Sequence, residues 1–130
     1  MPVSHGRASG RSAQGPSATF TGTVFMDPVL QASGIAVNDV TFTPGARTFW
    51  HRHPGGQLLI VKAGRGLVVL RTGQVIAVEA GEVLWTPPGE DHWHGACPGS
   101  LLTHTAISHG QTEWQEEVTA SDYATRTEGS

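Results

Sequence analysis

The sequence predicts a single all-β domain, a closed or sandwiched antiparallel barrel with a short helix at its C-terminal end. Three observations predict it. Apolar residues come in short runs, several of them alternating with polar ones, as half-buried strands do. The 130 residues include seventeen Gly and eight Pro, many at the ends of those runs, which marks frequent turns. Helix formers gather only near the end, between Glu113 and Tyr123.

Taken in order, residues 1–17 are rich in Ser, Gly, Arg and Ala. They carry too little apolar surface to order alone and read as a flexible arm before a barrel spanning 18–130. His5 reads as a solvated residue of that arm. Thr19 to Met26 is β-prone, and Asp27-Pro28 is expected to stop it. From Ile35 to Thr43 the chain alternates, with Val37, Asp39, Thr41 and Thr43 on one face and Asn38, Val40 and Phe42 on the other. Pro44-Gly45 is a turn, and Thr48 to His53 forms the next strand. Leu58 to Val61 is apolar on both faces, which predicts burial on both. Ala63-Gly64-Arg65-Gly66 reads as a turn before a second such strand, Leu67 to Leu70. Thr72-Gly73 signals a hairpin. Val75 to Val78 and Val83 to Thr86 continue the rhythm, and Pro87-Pro88-Gly89 breaks it. His92 to His94 is a short strand. In Leu101 to Ser108, Leu102, His104, Ala106 and Ser108 share a face. Trp114, Val118 and Tyr123 mark the apolar side of the late helix, with Thr112 or Ser121-Asp122 as caps.

Composition narrows the function. The formal net charge is −3, and the eight Lys and Arg are scattered, so nucleic acid is not an expected partner. One cysteine, Cys97, excludes an internal disulfide framework. No apolar run reaches the ~18–20 residues of a membrane span, and the N-terminus lacks a signal-peptide core, so no membrane partner and a cytoplasmic location are expected. A strand that is apolar on both sides in so small a chain predicts a second copy as its cover, hence a homodimer or a higher homo-oligomer.

The chemistry lies in GARTFWHRHPGGQLLIVKAG, residues 45–64. His51 and His53 are two apart, so on a strand both point to one side. Pro54-Gly55-Gly56 is a turn able to bring Gln57 back toward them. In PPGEDHWHGA, His92 and His94 repeat the spacing. Two same-face histidine pairs read as a metal site; the plainer reading is a hydrogen-bonded polar patch.

These stretches match a family. Gly45, five residues, His51-Arg52-His53, three residues, Gln57, six residues and Gly64 resemble the first motif of the cupins. Gly81, five residues, Pro87-Pro88-Gly89, two residues and His92 resemble the second. The resemblance implies a cupin jelly-roll barrel. Two positions depart from the usual pattern: Gln57 stands where Glu is common, and Ala96 where Asn is common. The phrases TPGARTFWHRHPGGQ, PPGEDHWHGA and THTAI are similar to small bacterial single-domain cupins associated with carboxymuconolactone decarboxylase genes. That group includes manganese-dependent hydroxynitrile lyases, and the likeness runs from about Phe20 to Tyr123.

The resemblance implies one divalent metal held by His51, His53, Gln57 and His92. Manganese is the expected ion, with iron, zinc or nickel as alternatives. A neutral ligand set leaves the full +2 charge on the ion. That favours Lewis-acid chemistry over oxidation to +3. The same likeness implies that His94 is an acid/base neighbour and that His104 joins it. By itself, a histidine on an apolar face beside Leu102 and Ala106 reads more readily as a core residue; it is the THTAI likeness that implies an acid/base role. Thr48 is on the opposite face from His51 in a regular strand, and a bend is needed to bring its hydroxyl inward to a substrate.

Val40, Phe42, Trp50, Trp93 and Phe25 are candidates for the apolar lining, with core or interface packing as the plainer role. Arg47 and Arg52 are expected to pair with Glu90 or Asp91. The expected function is a lyase acting on a small molecule, interconverting a cyanohydrin with an aldehyde and hydrogen cyanide. The alternatives are a cupin dioxygenase or alkene-cleaving enzyme, and a non-enzymatic metal or small-ligand binding protein.

Overall fold

The computed structural model describes residues 1–5 and 13–130. Its strands are β1 (Ala13–Gln14), β2 (Phe20–Thr21), β3 (Val24–Ala32), β4 (Ile35–Phe42), β5 (Arg47–Thr48), β6 (His51–Arg52), β7 (Gln57–Leu70), β8 (Val75–Glu79), β9 (Val83–Thr86), β10 (His92–Ala96), β11 (Leu102–His109) and β12 (Glu113–Trp114). A single helix, α1 (Ala120–Arg126), follows them. Every pairing is antiparallel, in the order β1-β3-β4-β11-β7-β10-β5-β2, and the sheet curls into the expected all-β barrel. Part of the expected arm, 6–12, lies outside the described residues. Its end does not: Ala13 and Gln14 pair with Met26 and Phe25.

β7 organises the barrel. Its first half pairs with β11 and β9, its second half with β10 and β8. The expected turn at Ala63–Gly66 is absent: the strand runs through and bends. Gly64 takes φ +78°, and a Cβ there would sit 1.7 Å from the Leu101 carbonyl oxygen. The register against β11 shifts beside it, between Thr103 and His104. Glycine thus re-aims one strand from the first sheet into the second instead of ending it.

Pro28 likewise does not stop its strand. β3 continues past it, with a register shift between Pro28 and Leu30. Proline lacks the N–H that a ladder needs, and an edge bulge tolerates the loss. The expected strand from Thr48 to His53 breaks into β5 and β6 around Phe49–Trp50. That break matters for the site.

Two clusters fill the interior. Val24, Val40, Phe42, Leu59, Val61, Val68, Leu102 and Ala106 belong to the one inside the barrel. The other joins Trp50, Leu67, Val69, Trp93, Val118 and Tyr123. Trp50 and Trp93 therefore pack away from the histidines. The second cluster covers the outer side of Leu67 and Val69 with the chain's own C-terminal segment, so these residues need no partner. Arg47 ties that segment down: its Nη2 donates to the Val118 carbonyl at 3.1 Å, and its guanidinium lies 4.6 Å from the Tyr123 ring centre. Tyr123 Oη donates to the Ala96 carbonyl at 2.6 Å.

The late helix is shorter than its composition suggests. Glu113–Trp114 is instead a strand paired with Arg52 and His51. Thr119, not Thr112 or Ser121, is the N-cap, its hydroxyl accepting from the Asp122 N–H at 3.0 Å. None of the helices among the described residues is long and apolar enough to cross a membrane.

Gly64→Ala is expected to destabilise the fold by about 2 kcal/mol or more in urea denaturation. Gly73 also has positive φ but nothing within 4 Å of the added Cβ, so Gly73→Ala is expected to cost only about 1 kcal/mol. Equal losses would show that the close approach to Leu101 is not the constraint.

Candidate metal centre

The pairing of β6 with β10 sets His92 opposite His51. Strand periodicity then carries His53 and His94 to the same interior, as their spacing predicts. His51, His53, His92, His94 and His104 are all under 5% exposed, so none of them is a solvated surface histidine. The Pro54-Gly55 turn, closed by the Gly56 N–H on the His53 carbonyl at 3.0 Å, delivers Gln57 beside them.

Three imidazoles converge. His51, His53 and His92 each offer a ring nitrogen, all within 4.8 Å of one another, a grouping able to hold a metal ion. Outer hydrogen bonds fix which nitrogen faces inward. His51 Nδ1 donates to the Phe49 carbonyl and His92 Nδ1 to the Glu90 carbonyl, each at 2.9 Å. His53 Nδ1 lies 3.1 Å from Thr112 Oγ1. That leaves the Nε2 lone pairs of His51 and His92 facing inward, beside Nε2 of His53. His53 Nε2 is buried without a hydrogen-bond partner, which is costly in a polar atom unless something binds it. Gln57 Oε1 lies 3.4 Å from His92 Nε2, and its Nε2 donates to Ser108 Oγ at 3.0 Å. The amide thus turns its oxygen to the imidazoles. Three nitrogens and a neutral oxygen fit a divalent transition-metal ion with positions left open.

A second pair stands beside them. His104 Nε2 and His94 Nδ1 are 3.2 Å apart and share one hydrogen bond. His94 Nε2 and His104 Nδ1 are buried without partners. Phe42 packs on both rings, at 5.7 and 5.3 Å between centres. The break after β5 turns Thr48 inward. Its side chain is 1% exposed, and Oγ1 accepts from the His94 backbone N–H at 3.2 Å, leaving its own proton free to donate.

Burial dominates the electrostatics. It pushes His51 and His94 well below the ordinary imidazole range, with repulsion from neighbouring imidazoles adding to the fall. It pushes His53 down to about 4, with His92 adding and the Gln57 amide opposing. It pushes His104 to about 4 as well, and lowers His92 against the opposing Glu90 carbonyl. At neutral pH all five are uncharged, the form that ligates or accepts a proton.

The site opens into a cavity of about 80 Å³, lined on its apolar side by Phe20, Met26, Val40, Ala106 and Trp114 and on its polar side by Asn38, Thr48, Ser108 and Thr112. Trp114, 41% exposed, lies at the mouth with its ring 4.7 Å from His51. Arg52 pairs with Asp91 at 3.8 Å and with Glu113 at 2.5 Å on the rim. Thr48, His51, His53, Gln57, His94 and His104 line one cavity, and His92 packs behind them with its ring centre 4.3 Å from that of His51. Sequence reasoning missed Trp114 and Thr112 by placing them on a helix. It missed Ser108 as a site residue although the strand period puts it on the His104 face. Cys97 is buried, with its thiol free, outside this cavity.

Comparisons with known proteins agree with this geometry. Residues 38–104 match the Cupin domain family. The chain belongs to the cupins. It is 47% identical over 119 residues to an (R)-mandelonitrile lyase of Granulicella tundricola, covering 86% of this chain and 91% of that protein. A crystal structure of a cupin-like protein from Thermotoga maritima superposes with a TM-score of 0.89 at 40% identity, over 95% of this chain and 98% of that one. A cupin 2 conserved barrel domain protein from Rhodopseudomonas palustris shares the fold at 16% identity, with a TM-score of 0.69 over 96% and 90% of the two chains.

The pH dependence of stability follows from His104. Its folded pKa, about 4, lies below the ordinary 6.5. The unfolded chain therefore binds a proton between those values that the folded one refuses. Stability is full above pH 6.5 and falls as pH drops toward 4. A fall of that size in one imidazole is worth roughly 3 kcal/mol. Melting temperatures of metal-free protein should decline across that window, less steeply for His104→Asn. An unchanged slope in the variant would contradict the assignment.

Proposed function

We propose that this cupin is a metal-dependent lyase that cleaves and forms cyanohydrins, joining an aldehyde to cyanide. The observation that carries the reading is a neutral histidine pair, His94 and His104, packed beside three converging imidazoles in a small apolar cavity. The 47% identity to a protein named (R)-mandelonitrile lyase supports the choice of substrate class.

In this proposal His51, His53, His92 and Gln57 hold one divalent ion, manganese, with iron, zinc or nickel as alternatives. Such an ion supplies Lewis acidity, lowering the pKa of a hydroxyl and stabilising negative charge on its oxygen. The chain's own groups do the rest. His94 Nε2 takes the hydroxyl proton, while its Nδ1–H donates to His104 Nε2 and steadies the imidazolium that forms. Thr48 Oγ1, already accepting from the His94 N–H, donates its proton to the substrate and fixes its orientation. The carbon–carbon bond breaks, the hydroxyl oxygen becomes the aldehyde oxygen, and cyanide leaves with the bond's electron pair. His94 returns its proton to cyanide, so one proton moves from oxygen to the leaving group. Phe20, Met26, Val40 and Ala106 exclude water from the reacting carbon. The neutral Gln57 amide favours this chemistry over an oxygen-using reaction, because no anion offsets the charge of a +3 ion.

A homo-oligomer, most simply a dimer, is part of the same proposal. Leu58, Ile60 and Ile107 are half-buried on the outer face of the first sheet, beside Val83 at 62% and Trp85 at 49% exposure. A contiguous apolar face of this kind marks an interface. Sedimentation at micromolar concentration should give a dimer or larger species, and a monomer would refute it.

The test of the chemistry separates ligand from base. Mandelonitrile cleavage should follow metal content in the wild type. His92→Ala should lose metal and activity together. His94→Ala should keep most of the metal and lose about 10²–10⁴-fold in rate. A His94→Ala protein that loses the metal while His92→Ala keeps it would reverse the assignment. A metal-loaded wild type inert toward cyanohydrins would overturn the lyase reading.

A further inference from the structure

Two of the inward-facing imidazoles are held by the backbone. The Phe49 and Glu90 carbonyls each take the Nδ1–H of a histidine two residues on, and no side-chain substitution removes such a partner. The other two members of the set are ambiguous by chemistry. His53 has two neutral tautomers, only one of which leaves Nε2 bare. Gln57 has an amide whose two ends are nearly alike in shape, only one of which can ligate. A hydroxyl from the same stretch of chain at the end of β11 stands beside each ambiguous group. Ser108 Oγ takes the Gln57 Nε2–H at 3.0 Å. Thr112 Oγ1 lies 3.1 Å from His53 Nδ1, placed to accept the Nδ1–H of the tautomer that leaves Nε2 bare.

We infer that Ser108 and Thr112 are positioning residues of the metal centre, selecting which atom of Gln57 and of His53 faces the ion. Without the Ser108 hydroxyl the buried Gln57 amide N–H loses the acceptor it has in this structure. Turning the amide over to relieve it would aim N–H groups at the cation. Without Thr112 the His53 proton can move to Nε2, where it blocks ligation. Both residues line the cavity, and both also border the adjoining groove formed with Gln31, Gly34 and Gly110. Ser108→Ala and Thr112→Val therefore remove a hydroxyl at the edge of the barrel without opening its core. This inference rests on the metal reading of the site. It also explains how an amide serves where a carboxylate, with two equivalent oxygens, would need no such guide.

Manganese(II) affinity, measured by calorimetric titration of metal-free protein with manganese chloride at fixed pH, tests it without any assay of activity. Folding of each variant is checked by its melting curve. Ser108→Ala and Thr112→Val are expected to bind about 10–100-fold more weakly than wild type, the usual effect of losing an outer-shell partner. Ser108→Thr and Thr112→Ser keep the hydroxyl and are expected to keep most of the affinity. In a Gln57→Glu background the loss on Ser108→Ala should shrink, because either carboxylate oxygen can ligate. Wild-type affinity in Ser108→Ala and Thr112→Val would overturn the inference and leave the metal site standing. So would a Ser108→Ala loss as large with Glu at 57 as with Gln. A folded wild type that takes up no manganese, iron, zinc or nickel would overturn the metal reading, and the inference with it.

Discussion

The antiparallel pairing of His51 with His92 is the constraint on which the site depends. It joins two stretches some forty residues apart in the chain and gives both the same inward phase. From that one register, His53 and His94 fall inside by strand period alone. A slip of one residue would turn the imidazoles of one strand to the outer face. The register is itself held from outside the cavity. Trp50 and Trp93, next to the ligands in sequence and opposite them in direction, are locked with Leu67, Val69, Val118 and Tyr123. The apolar face of these strands thus fixes the polar one.

Concentrating five imidazoles in a buried interior has an electrostatic consequence. Neither Asp nor Glu is among the described residues lining the cavity, and burial outweighs the opposing pull of Asp91, Asp39 and the Phe49 and Glu90 carbonyls, driving every ring toward its neutral form. Neutral imidazoles are good ligands and good proton acceptors, and they leave the charge of a bound cation undiminished. The structure divides the five by their outer partners. The three imidazoles that converge each present one nitrogen to an oxygen of the wall. His94 and His104 instead present theirs to each other at 3.2 Å. A nitrogen committed to a fixed carbonyl orients a ligand; a nitrogen shared between two imidazoles passes a proton.

The histidine pairs were legible in the sequence because a period of two is the strongest local signal a strand carries. The inward turn of Thr48 was legible only as a need, since a bend had to exist for its hydroxyl to enter. The break at Phe49–Trp50 supplies it. The bend in β7 was misread as a turn, because glycine at +78° looks the same in sequence whether the chain reverses or merely changes sheet. Only the Leu101 carbonyl pressed against Gly64 distinguishes the two, and that contact is between residues far apart in the chain. The segment from Thr112 to Trp114 failed for a related reason. Its residues suit a helix, but edge pairing with Arg52 and His51 outweighs propensity and places Thr112 on His53 and Trp114 at the mouth. Ser108 was on the correct face, yet its role depends on Gln57 arriving from a different strand.

The most direct measure of the account is the crystal structure of the manganese-loaded protein, with the ion located by its anomalous scattering. The account predicts one ion coordinated by the Nε2 atoms of His51, His53 and His92 and by Gln57 Oε1, with His94 and His104 outside the coordination shell. An ion held instead by His94 or His104, or a shell from which Gln57 is missing, would contradict it.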